Sequence, residues 1–157
     1  MTEPRWLDQR EAHVWQGYRD LQRELRNALD RQLVDDAGLS GAEYALLVPL
    51  SEAPGGRLRA RELGGMVGWD RSRISHQLSR MEQRGLVIRE ACPDDARGSL
   101  ARLTPAGRSA IKAAAPKHVA TVRRFFLDPL SDEELDTLAT LFDRLLAGLV
   151  NRRVSLR

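Results

Sequence analysis

The chain has a single cysteine, Cys92, so no internal disulfide can form, and a reducing compartment is the natural expectation. No apolar run approaches the roughly 20 residues that a membrane span requires. The opening stretch MTEPRWLDQR is polar and charged, unlike a secretory signal. A cytoplasmic location is therefore expected. There is no glycine-rich phosphate loop, no zinc-type Cys/His cluster and no credible catalytic triad. His13, His76 and His118 stand far apart in sequence, and each has an ordinary structural explanation. The expectation is a protein with no catalytic residues, no metal and no cofactor, and not an enzyme.

What is present is an ordinary soluble composition, 42% hydrophobic and 30% charged, in 157 residues. One domain with a real core is expected at that length. The charge is unevenly spread. Between Arg57 and Arg108 eleven arginines stand against six acids, a local net charge of +5, whereas the whole chain carries only +3. The remainder is therefore slightly acidic. Every base in that middle third is arginine, the side chain best suited to bidentate contact with phosphate or guanine. Charge alone fits a solvated basic surface as well as a nucleic-acid surface.

Along the chain, Val14, Tyr18, Leu21, Leu25, Ala28 and Leu33 recur at helical spacing between Trp6 and about Leu33. Ser40 and Glu43 form a capping box ahead of the apolar run from Tyr44 to Leu50. Ala53-Pro54-Gly55-Gly56 is a turn, and a short helix follows from about Ala60 to Val67. Asp70 is placed to cap the next helix, which runs to about Arg84 and is closed by Gly85. Leu86-Val87-Ile88 and Leu100-Ala101-Arg102-Leu103 read as two strands of a hairpin, joined by a charged turn from Cys92 to Gly98 that is longer than the tight two-residue type. Thr104-Pro105 starts a helix reaching about Phe126. Ser131 and Glu134 cap a final helix with Leu135, Leu138, Leu141, Phe142, Leu145 and Leu149 on one face.

This order predicts a mainly α protein with a small β-hairpin wing. The arrangement is a winged helix-turn-helix flanked by N- and C-terminal dimerisation helices. The expected boundaries are a DNA-binding lobe over 38–108, with dimerisation helices in 1–37 and 109–157, all within a single domain over 1–157. The apolar stripes of the terminal helices either fold onto their own core or pack against a second copy; a twofold homodimer would present two recognition helices to two half-sites.

On a helix from Asp70 to Arg84, Ile74, Leu78 and Met81 share one narrow face at i, i+4 and i+7, which must be the buried one. Ser72, His76, Ser79 and Gln83 lie opposite, flanked by Arg73, Ser75 and Arg80. Small hydroxyls permit close approach to base edges, and arginine can bond guanine bidentately. The plainer alternative is a solvated helix face. In the turn, Asp95 would brace Arg97 or Arg89, leaving Arg97 or Arg102 to enter the minor groove. Otherwise the segment is a surface turn with an incidental ion pair.

The run Leu78 to Arg108, LSRMEQRGLVIREACPDDARGSLARLTPAGR, resembles the signature region of MarR-type regulators. In that family a helix ends in Leu-Glu-x-x-Gly-Leu-Val-x-Arg, the wing carries Asp-Pro-x-Asp-x-Arg, and Leu-Thr-x-x-Gly opens the next helix. The corresponding segments here are Met81 to Arg89, Cys92 to Arg97 and Leu103 to Gly107. Two positions depart: Cys92 replaces the usual aspartate, and Gly64 replaces the usual alanine. The resemblance implies a homodimer joined by its terminal helices on a palindromic operator. Ser72, Arg73, Ser75, His76 and Arg80 would face the major groove, with Arg89 and Arg97 as further DNA-binding candidates at the wing. It also implies repression that a small, often aromatic or phenolic, effector relieves.

An effector pocket would lie where the DNA-binding lobe meets the dimer helices, with Trp15, Tyr18, Tyr44 and His118 as candidate walls; the alternative is that these aromatics are simply core. Cys92, near Arg89 and Arg97, raises a redox-sensing alternative. A winged-helix module used only for protein contacts is the third possibility.

Overall fold

The structure is a computed structural model that describes residues 4–92 and 95–154, without the side chains of 95–97 and 151–154. It forms two compact units, Met1–Val119 and Ala120–Arg157.

In the first unit, Asp8 caps α1 (Gln9–Ala37) through a complete capping box with Glu11. The helix thus starts three residues after the expected Trp6, and Trp6 and Leu7 precede it in solvent. Gly38, at φ +62°, ends it. Ser40 and Glu43 form the expected capping box of α2 (Gly41–Glu52). After the turn comes a feature that the sequence did not suggest, the short strand β1 (Arg57–Arg59). Next come α3 (Ala60–Val67) and α4 (Arg71–Gln83). Gly85 adopts φ +71° and turns the chain into the hairpin.

The hairpin strands β2 (Val87–Cys92) and β3 (Asp95–Leu103) are longer than expected. Their ladder pairs Val87 with Leu103 and continues, with one irregularity, to Cys92 opposite Asp95. The strands therefore extend into the charged stretch from Cys92 to Gly98 that the sequence suggests is a turn. Pro93 and Asp94 lie outside the described residues. β1 pairs with β3, giving an antiparallel sheet ordered β1-β3-β2. Alternation along β3 buries Ala101 and Leu103.

One apolar core joins these pieces: Leu33 and Leu39, Leu46, Leu47 and Leu50 of α2, Leu63 of α3, Ile74, Leu78 and Met81 of α4, the sheet residues Val87, Ala101 and Leu103, and Ile111 and Ala114 of the next helix. That helix, α5 (Pro105–Val122), begins at Thr104, whose hydroxyl accepts from the Gly107 N–H at 2.9 Å. It passes into the second unit, where a wider π-type turn spans Arg123–Leu127, so the expected continuous helix to Phe126 changes its winding near the end. Ser131 and Glu134 then cap α6 (Asp132–Val154) as expected.

Both terminal helices carry apolar side chains in water. On α1 these include Val14, Trp15, Tyr18 and Leu21, with Trp15 and Tyr18 stacked on each other. On α6 they include Phe142, Leu145, Leu146 and Leu149. Among the described residues, no helix is long and apolar enough to cross a membrane.

Candidate nucleic-acid interface

The centre of the site is α4. The Asp70 carboxylate accepts the Arg73 N–H at 2.9 Å and satisfies a donor that the first turn leaves without an intrahelical partner. Ile74, Leu78 and Met81 are 2%, 0% and 0% exposed, so the face that the periodicity assigned to the core is fully buried. Ser72, Arg73, Ser75, His76, Arg80 and Gln83 are exposed on the remainder of the helix, and Gln77 and Ser79 are half-buried at its margins. The exposed side contains no acid until Glu82, which is occupied: its carboxylate accepts the backbone N–H of Arg89 at 2.9 Å.

The C-terminal end of α4 is fixed from a distance. Glu43, 4% exposed, accepts from the Ser40 N–H at 2.8 Å and from Arg84 Nη1 at 2.6 Å. Arg84 Nη2 donates to the Gly38 carbonyl at 2.9 Å. One carboxylate therefore caps α2 and anchors the residue that follows α4. The sequence reading assigned Glu43 only its capping role and gave Arg84 none.

At the wing, Arg89 donates to Ser79 Oγ at 2.9 Å, joining β2 to α4. Arg102 is paired with Glu90 at 2.6 Å, and that hydrogen bond, ahead of the attraction of the Arg102 and Arg57 charges, holds the Glu90 carboxyl below its usual range. Arg102 is thus engaged within the sheet, which argues against its suggested role as the groove-entering arginine. The side chains of Asp95 and Arg97, including the suggested brace between them, lie outside the described residues.

The four suspected effector-site residues fall into two pairs. Tyr44 and His118 face each other with ring centroids 4.2 Å apart. They line a groove of about 310 Å³ with Gln22, Leu25, Arg26 and Leu29 of α1 among its other walls. Burial raises the Tyr44 pKa, and burial lowers that of His118 against a partial upward pull from Asp30. His118 Nδ1 is buried without a hydrogen-bond partner among the described residues. Trp15 and Tyr18, one to two turns towards the N-terminus of α1, do not line this groove. Cys92 is buried, which does not favour the exposed thiolate that redox sensing requires.

A sequence model described as MarR family matches residues 37–98. A MarR family transcriptional regulator from Streptomyces coelicolor, solved in complex with DNA, is 42% identical. It superposes with a TM-score of 0.89 over 95% of this chain and 93% of the relative. The chain belongs to the MarR family of transcriptional regulators. AbsC, another MarR family regulator from Streptomyces coelicolor, is 38% identical with a TM-score of 0.88, over 94% of this chain and 99% of its own. The PcaV regulator of the same organism, solved with its natural ligand, is 30% identical with a TM-score of 0.68, over 82% of this chain and 91% of its own.

Within this MarR-type lobe, the glycine at position 64 has a local cause. A Cβ there would lie 3.0 Å from the Trp69 carbonyl oxygen and 3.2 Å from Ile74 Cγ1. Gly64 lets α3 approach the connector and the start of α4 closely. The Trp69 N–H donates to the Gly64 carbonyl at 2.9 Å across that contact. Trp69 itself is half-buried against the core, and the Arg73 guanidinium carbon lies 4.0 Å from the centre of its ring.

Proposed function

We propose that this chain acts as a homodimeric transcriptional repressor that reads a palindromic double-stranded DNA site through α4. One observation carries the reading: the helix buries Ile74, Leu78 and Met81 and leaves Ser72, Arg73, Ser75, His76 and Arg80 in solvent. An α-helix fits the major groove of B-DNA, and these side chains offer donors and acceptors to base edges with little bulk between backbone and DNA. The Streptomyces coelicolor relative solved with DNA supports the same partner here. Arg89, held against Ser79, meets the sugar-phosphate backbone. The protein acts on DNA in the cytoplasm as a regulator, not an enzyme.

Exposed Trp15, Tyr18 and Leu21 on α1 and Leu145, Leu146 and Leu149 on α6 support dimerisation, since burial against a second copy removes them from water. The groove lined by Arg26, Tyr44 and His118 suits a small aromatic acid: two rings for walls, an arginine for the carboxylate and an imidazole nitrogen with no partner among the described residues. The ligand complex of PcaV supports the binding of a small molecule here.

The test is selection of bound genomic fragments, followed by mobility shifts on the enriched duplex. The enriched set should share an inverted repeat, which should outcompete a scrambled duplex by about 10³-fold or more. Equal shifts on both duplexes would overturn the DNA reading and leave the fold as a protein-contact module.

A further inference from the structure

The start of α4 contains an arrangement that solvation alone does not require. Arg73 is fixed at two points. Its backbone N–H is bonded to Asp70 Oδ1 at 2.9 Å, and its guanidinium lies over the Trp69 ring, 4.0 Å from carbon to centroid. No carboxylate pairs with Arg73 among the described residues, so the ring is its only described side-chain partner. Trp69 is itself fixed, packed on the core and tied through its backbone to Gly64. A cation held over an aromatic face is attracted by the ring's quadrupole, a contact that needs no hydrogen bond from the guanidinium. The ring therefore restrains the arginine without a described carboxylate to occupy its donors.

We propose that Trp69 is a positioning residue for base recognition: it holds the Arg73 guanidinium in one orientation before DNA arrives, so that less side-chain freedom is lost on binding. This rests on the reading of α4 as the DNA-contacting helix. A free arginine must freeze several rotatable bonds to make a bidentate pair with guanine, and a pre-stacked one has already frozen part of them. The orientation is thus set by a residue outside α4, through a ring that need not touch DNA.

A purely structural alternative exists. Trp69 precedes the N-cap Asp70, and Ile74 is the fourth helical residue, the two positions at which apolar side chains staple a helix start. Trp69→Leu and Trp69→Phe separate the two roles. Leucine keeps an apolar staple but removes the ring; phenylalanine keeps a ring face.

The experiment selects duplexes from a random-sequence pool with the full-length parent, Trp69→Leu, Trp69→Phe, Arg73→Ala and the Trp69→Leu/Arg73→Ala double variant, alongside thermal melting of each. Arg73→Ala identifies the base pair that Arg73 reads. At that pair, Trp69→Leu should reduce the base preference roughly two- to fivefold, the scale of an exposed cation–π contact, while other positions stay as in the parent. Trp69→Phe should retain most of the preference, and the double variant should be no worse than Arg73→Ala. Parental preferences in Trp69→Leu would overturn the proposal. So would a uniform loss at every position with lowered melting in both Trp69 variants, which would mark a staple alone. If Arg73→Ala leaves the pool unchanged, there is no base reading for Trp69 to position and the proposal fails, while the DNA-binding reading stands. A parent that selects no sequence removes both.

Discussion

The Glu43–Arg84 pair predicts an asymmetry that most surface ion pairs would not give. The Glu43 side chain is 5% exposed and that of Arg84 is 48% exposed. Removing the arginine strands a carboxylate inside the core, whereas removing the negative charge leaves a guanidinium that can turn into water. In Arg84→Met the stem still packs, but Glu43 retains only the donors of Ser40. Leaving a charged group so under-satisfied should cost about 2–4 kcal/mol. In Glu43→Gln the amide keeps the shape and an acceptor for Ser40, and the exposed partner rehydrates, so the loss should be about 1 kcal/mol. In the double variant no buried charge remains to be stranded. The coupling should therefore be about 1–2 kcal/mol and the combined loss smaller than the sum. Urea denaturation at one fixed protein concentration measures this, because any self-association would make stability concentration-dependent. For a chain of this size each kcal/mol should also move the melting temperature by roughly 2–4 °C. Equal losses in the two single variants, or an additive double variant, would refute the claim that the carboxylate is the buried, dependent partner.

Two further outcomes follow from the first unit. A Cβ on Gly107 would run into the Leu86 carbonyl oxygen and lie 2.8 Å from Leu103 Cδ1. Gly107→Ala should therefore destabilise by about 1–3 kcal/mol despite the better helix propensity of alanine, and a variant as stable as the parent in the same denaturation assay would contradict that packing. Burial depresses the His118 pKa from its ordinary 6.5, so just below that pH the unfolded chain binds a proton that the folded one does not. Stability should be at its full value above about pH 6.5, fall as the pH drops towards the lowered native value, and then level off. Comparing denaturation curves of the parent and His118→Gln between pH 5 and 8 checks the sign, and a parent that gains stability over that descent relative to the variant would reverse it.

The parts legible in the sequence are those governed by local chemistry. The caps at Ser40, Asp70 and Ser131, the turn at Gly85 and the buried face of Ile74, Leu78 and Met81 depend on residues within one or two turns of each other. The same locality hid the rest. β1 is three residues long, too short to show alternation, and exists as a strand because Arg57 to Arg59 find ladder partners from Arg102 to Leu100. Glu43 reads as an ordinary capping residue, and only the fold brings it to an arginine 41 positions away. The charged residues near the hairpin tip resemble a loop in sequence, yet strand pairing extends to Cys92 and Asp95. Trp15 and Tyr18 share only their aromatic character with Tyr44 and His118, which line the groove without them. The helix separates them along its length, since each residue advances the chain by about 1.5 Å.

The most direct measurement is the ratio of affinities for a selected duplex and a scrambled one, taken for the parent and for a variant with Ser72, Arg73, Ser75 and His76 all changed to alanine. These side chains are exposed, so circular dichroism and melting should match the parent. The account predicts that the ratio collapses from about 10³ or more towards one, while weak, salt-sensitive binding persists through the remaining arginines. A folded variant that keeps the parental ratio would contradict the account, because sequence would then be read by some surface other than α4.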